Sequence, residues 1–112
     1  MDGDESGKDY FTHRFEGRIE QRLLGTYAYV VVYLPEAIAA GLPLREHPRL
    51  RIEADVGGVP VKGAWQPGGG RWYLMLSKAA RRAGGFRLGD PVEVAFRVVA
   101  QDAVDLPPEL AA

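Results

Sequence analysis

The chain contains no cysteine. That absence removes disulfides, thiolate-held zinc, iron–sulfur clusters and cysteine nucleophiles together. Histidine is scarce as well: His13 and His47 are the only 2, and they stand far apart in the chain. A metal centre needs three or four converging ligands, so neither a metal nor a cofactor is expected. No long apolar run occurs. The longest, Tyr27-Ala28-Tyr29-Val30-Val31-Val32-Tyr33-Leu34, falls well short of the roughly 20 residues that a membrane-spanning helix requires. Met1 to Asp9 is acidic and polar, whereas a secretory leader opens basic and then turns apolar. These features predict a cytoplasmic protein that does not enter a membrane. Catalytic signals are missing too. Ser77 reads better as a helix cap than as a nucleophile, and no nucleophile-elbow motif is present. No catalytic residue is assigned, and the expectation leans away from an enzyme.

What is present suits one soluble domain. A chain of 112 residues with 46% hydrophobic and 26% charged residues is ordinary for a single globular unit. The net charge of −1 is segregated along the chain. Residues 1–44 carry −3, residues 45–87 carry +6 and residues 88–112 carry −4. The basic middle can form a face that attracts anions, although charges that interleave after folding give a simpler reading.

Residues 1–9 have the composition of a disordered leader. Ordered structure is expected over residues 10–102 and a proline-containing tail over 103–112. Phe11, His13, Phe15, Gly17 and Ile19 alternate with Thr12, Arg14, Glu16 and Arg18, the period of a half-buried strand. Tyr27 to Leu34 reads as a central strand buried on both faces. Pro35 is expected at the first position of a short helix ending at Gly41, with Glu36 in its first turn.

Leu50, Ile52, Ala54 and Val56 alternate with charged residues, and Gly57-Gly58 marks a hairpin to a strand over 59–65. Pro67-Gly68-Gly69-Gly70 reads as a loop, followed by a strand over Arg71 to Leu76. Ser77 is expected to cap a helix over Lys78 to Ala83, closed by Gly84-Gly85. Val92, Val94, Phe96 and Val98 alternate through a last strand. About six strands and two short helices, with no βαβ rhythm, predict a mainly β antiparallel barrel or sandwich.

Two residue sets are candidates for binding. Lys62, Gly69, Gly70, Arg71, Trp72, Tyr73 and Lys78 surround the glycine-rich segment and suit a small anionic ligand. This is not a phosphate-binding P-loop, because Arg71-Trp72 opens a strand where that motif needs Lys-Ser/Thr opening a helix. The simpler reading is a hairpin loop. Trp72 and Tyr73 must point to opposite faces, one into the core and the other partly exposed or lining a groove. The second set, Arg45, Arg49, Arg51, Arg81, Arg82 and Arg87, suits nucleic-acid phosphates. The net charge of −1 does not favour that partner. A protein partner or a second copy of the chain is the remaining expectation.

The order of motifs resembles a known family. It runs Phe15-Glu16-Gly17, then Leu34-Pro35-Glu36, Gly57-Gly58-Val59-Pro60 and Pro67-Gly68-Gly69-Gly70. Arg71-Trp72-Tyr73-Leu74, Ser77-Lys78 and Gly89-Asp90-Pro91-Val92 complete it. This series resembles the bacterial domain-of-unknown-function family nineteen-oh-five, over roughly residues 10–110. The resemblance implies a closed double-split β-barrel, related in fold to AbrB- and MazE-type transcription factors, and no established activity. In relatives a YdeI-type helical bacteriocin-protection domain often follows, and Val104 to Leu110 resembles its opening. The resemblance therefore predicts a barrel standing without that neighbour.

Overall fold

The computed structural model describes residues 10–101. The expected leader, the tail and the Val104 to Leu110 motif lie outside the described residues.

Seven strands form one antiparallel sheet: β1 (His13–Arg18), β2 (Glu20–Leu24), β3 (Tyr27–Tyr33), β4 (Leu50–Val56), β5 (Val59–Gly68), β6 (Arg71–Met75) and β7 (Pro91–Val98). Helix α1 (Glu36–Ala39) follows β3, and α2 (Lys78–Gly84) follows β6. The strand order is β1-β7-β4-β5-β6-β3-β2. The protein is mainly β, as the alternating segments predict.

The sheet is curled, and two stretches of chain produce the curl. β1 and β2 occupy opposite edges of the sheet, yet one residue, Ile19, separates them. β1 pairs with β7 and β2 with β3, so the chain changes partner at Ile19. The Ile19 amide donates to the Asp90 carbonyl at 2.8 Å, its carbonyl accepts from the Gly89 amide at 2.7 Å, and its side chain enters the core. β5 makes the second change, pairing with β4 through Trp65 and with β6 from Gln66 onward.

These partner changes account for the miscounted strands. The expected first strand stops at Ile19, and a second one, β2, continues where none was expected. Glu20 to Leu24 has no clean alternation of its own. Its strand geometry comes from pairing with β3.

The β4 pattern holds fully: Leu50, Ile52, Ala54 and Val56 are buried and the residues between them are not. Gly57 and Gly58 take φ of +56° and +94°, forming the expected two-residue turn. A Cβ on Gly57 would lie 2.9 Å from Val92 Cγ2 and 3.1 Å from Phe86 Cε1, so both handedness and space demand glycine there.

The Pro67-to-Gly70 segment is tighter than the expected loop. β5 runs on through Gly68, leaving Gly69 and Gly70 as a two-residue turn with φ of +59° and +77°. Two consecutive positive-φ residues match the twist of the flanking strands. Pro35 also shifts, acting as the cap of α1 with ψ of 143° rather than as its first residue. Its fixed φ of −63° suits either place, and its missing N–H costs nothing at either. Ser77 caps α2 as expected, its Oγ accepting from the Ala80 amide at 3.0 Å, and Gly85 closes the helix in the left-handed region.

The core lies inside the curl. Trp65 and Phe96 are its largest members, edge to face at 5.3 Å, with Ile19, Leu34, Leu50, Ile52 and Leu74 around them. His13 stacks flat on Phe96 at 4.7 Å, a packing role for a strand histidine. β3 is buried on both faces only at Val31 and Val32. Its beginning and the end of β2 expose Tyr27 and Leu23.

Candidate functional site

Because β4 turns Leu50, Ile52, Ala54 and Val56 inward, Arg51, Glu53 and Asp55 face outward. Register then decides their neighbours. Glu53 stands opposite Lys62 of β5 on one side and Arg97 of β7 on the other. Arg97 Nη1 reaches Glu53 Oε1 at 3.5 Å. The Tyr10 hydroxyl donates to the same oxygen, and the Arg97 guanidinium lies 4.7 Å over the Tyr10 ring. The Tyr10 hydrogen bond holds the Glu53 carboxyl below its ordinary pKa; burial opposes this, and the charges of Arg97 and Lys62 assist it.

A groove of about 950 Å³ opens beside this cluster. Among the described residues Arg49, Arg51, Lys62 and Arg97 line it together with the carboxylate of Glu53. Met75 and Val98 supply apolar wall. The Gln101 side chain anchors the rim: its Oε1 accepts from the Arg51 amide at 2.8 Å and its Nε2 donates to the Arg51 carbonyl at 3.1 Å. A groove that combines fixed cations with apolar wall suits an organic anion.

The same outward face continues across β6, β3 and β2. Gln66 pairs with Tyr73, and Tyr73 pairs with Tyr33. Tyr73 is buried although it faces away from the core, because the Arg22 guanidinium covers it at 4.8 Å. Arg71 lies 4.1 Å over the Tyr33 ring. Trp72, on the opposite face, packs against the core as a partly buried residue. The expected division of Trp72 and Tyr73 between two faces holds: Trp72, on the core side, is the partly exposed one, and Tyr73 is buried under Arg22.

The expected site residues thus divide. Lys62, from the anionic-ligand set, and Arg49 and Arg51, from the nucleic-acid set, line the groove together. Arg71 and Tyr73 belong to the tyrosine-rich stretch, beside the Gly69-Gly70 turn. Lys78 opens α2, Arg81 and Arg82 lie in its last turn, Arg87 follows it, and Arg45 lies between α1 and β4. None of these five lines the groove. Glu53, Arg97, Arg22 and Tyr33 were not singled out from the sequence. Strand register brings them in; outward parity on the alternating strands β4 and β7 marks Glu53 and Arg97, and no local pattern marks Arg22 or Tyr33.

Among the described residues no group of three or more His, Cys, Asp or Glu side chains gathers to hold a metal. No helix among them is long and apolar enough to cross a membrane. A family model described as Domain of unknown function (DUF1905) matches residues 15–96, from β1 through most of β7. The chain belongs to this family. Comparison with the curated proteins finds no match. The DUF1905 match takes in both partner changes, Ile19 and β5, and the outward face with Glu53, Lys62, Tyr33 and Tyr73. Arg97 lies just beyond it.

Proposed function

We propose that this DUF1905 domain is a binding module rather than a catalyst, and that its groove receives an anionic ligand. One observation carries the reading: among the described residues three cations, Arg49, Lys62 and Arg97, line the groove beside the single carboxylate of Glu53. Glu53 and Tyr10 hold Arg97 in place, and Met75 and Val98 offer apolar surface to the ligand's carbon skeleton. The same reading takes the curled sheet as a closed double-split barrel, with the β1–Ile19–β2 stretch as the strand that shuts it.

A thermal-shift screen of polycarboxylates and phosphorylated metabolites at fixed ionic strength tests this. A ligand present at 100 times its Kd adds about 2.7 kcal/mol of stability. Stabilisation that is lost in Lys62→Glu supports the groove; a flat screen counts against it.

Arg49 and Arg51 also favour a second reading, a nucleic-acid-binding barrel, since both line the same groove. Electrophoretic mobility with mixed-sequence DNA at low salt separates the two. Non-specific binders shift DNA at about 10⁻⁴–10⁻⁶ M, and no shift at tens of micromolar protein removes this second reading.

A further inference from the structure

Arg22 and Arg71 reach one phenol from two strands. Arg71 lies on the face of Tyr33 at 4.1 Å, and Arg22 Nη1 donates to the Tyr33 hydroxyl oxygen at 3.3 Å. Arg22 also covers Tyr73 at 4.8 Å, and the two tyrosine rings meet edge to face at 6.3 Å. Gly68 makes room for this: a Cβ there would lie 2.3 Å from Arg22 Nη2 and 2.8 Å from Tyr73 Cε2. Both guanidiniums thus lie over tyrosine rings, and each carries five N–H donors, more than these contacts use.

Their charge is not balanced. Among the described residues no carboxylate pairs with either guanidinium, in contrast to Arg97 with Glu53. The Nε of Arg22 is buried and has no hydrogen-bond partner. Two cations fixed against one phenol repel each other, and a shared anion relieves the repulsion.

We propose that Arg22, Arg71 and Tyr33 form an oxyanion site for a phosphate group, inorganic phosphate or a phosphate monoester, separate from the groove. The Tyr33 oxygen accepts from Arg22, so its own proton remains to be donated. Two guanidiniums and one hydroxyl, carried on three strands, then supply the donors. That arrangement suits a tetrahedral oxyanion better than a planar carboxylate. One compact cluster of this kind holds a single phosphate group and not a polyanionic strand.

The test is NMR of the arginine Nε–Hε resonances in the full ¹⁵N-labelled chain at constant ionic strength. Inorganic phosphate is titrated in one arm, a phosphoserine-bearing peptide in a second and acetate in a third. The expected result is a saturable shift at Arg22 and Arg71 with phosphate, and little with acetate. Arg71 is exposed, so Arg71→Gln keeps the fold. It weakens the phosphate response about tenfold or more, the usual cost of a lost charge-assisted hydrogen bond, while Lys62→Gln leaves it in place. Tighter binding of the phosphopeptide assigns the source to a monoester; tighter binding of inorganic phosphate assigns it to the free ion. No saturable shift at these two arginines, or an equal response to acetate, overturns the site. Loss of the response in Lys62→Gln also overturns it and places the anion in the groove.

Discussion

Arg97 and Arg22 lie over tyrosine rings at nearly equal distances, 4.7 Å from Tyr10 and 4.8 Å from Tyr73. Their surroundings differ. Arg97 has a carboxylate at 3.5 Å, and the hydroxyl of its tyrosine is spent on that same carboxylate. Arg22 has a second phenol in place of the carboxylate, and its hydrogen bond to Tyr33 raises its pKa further. Stacking on a ring therefore says little about what an arginine does. On one half of the outward face the cations share a counter-charge and border a groove. On the other half they cover phenols and keep their full charge.

The harshest way to break this comparison is to remove what the two halves share. Trp65 is fully buried at the point where β5 leaves β4 for β6. Trp65→Ala should cost about 3–5 kcal/mol and unfold both halves in one transition. Two separated transitions in denaturant would show that the halves are independent.

Gly68→Ala should act on the Arg22 half alone. Its Cβ displaces the Arg22 guanidinium and crowds Tyr73, at a cost of about 1–3 kcal/mol in chemical denaturation. The Arg22 Nε–Hε resonance should move while that of Arg97 stays. Lys62→Glu should act on the groove half alone: it sets a second carboxylate opposite Glu53, at a cost of about 0.2–1 kcal/mol, while anion affinity falls about tenfold or more.

The smallest effect is set by pH. The folded-state pKa of Glu53 is depressed, first by the Tyr10 hydrogen bond and then by Arg97 and Lys62. Its contribution is therefore full above its ordinary value and is lost as pH falls through the depressed one. Melting temperatures of the wild type and Glu53→Gln should differ slightly near neutrality and converge in acid. A gap that widens in acid would contradict the assignment.

Much of the fold can be read from alternation. β4, the Gly57-Gly58 turn, the Ser77 cap and the inward set of β7 follow from spacing and from backbone conformations open mainly to glycine. β2 does not, because a strand whose geometry is imposed by its partner leaves no periodic trace of its own. The Pro67-to-Gly70 turn was misjudged in length for a related reason: composition marks a turn, but register sets where it begins. The candidate site was legible only in fragments. Arg71 and Tyr73 were found through their neighbouring glycines, and Lys62, Arg49 and Arg51 through local charge. Their grouping was hidden, since Glu53, Lys62 and Arg97 meet across three strands and Arg22 reaches Tyr33 and Tyr73 across two more. No local pattern encodes which strand lies beside which.

The central claim is that the groove recognises anions through the cations that line it. Isothermal titration with polycarboxylate and phosphorylated compounds, at fixed low ionic strength on the wild type and Lys62→Glu, tests it most directly. At least one compound should bind the wild type saturably and bind Lys62→Glu about tenfold or more weakly. Equal affinity for the two proteins, or no saturable binding by any of the compounds, would contradict it.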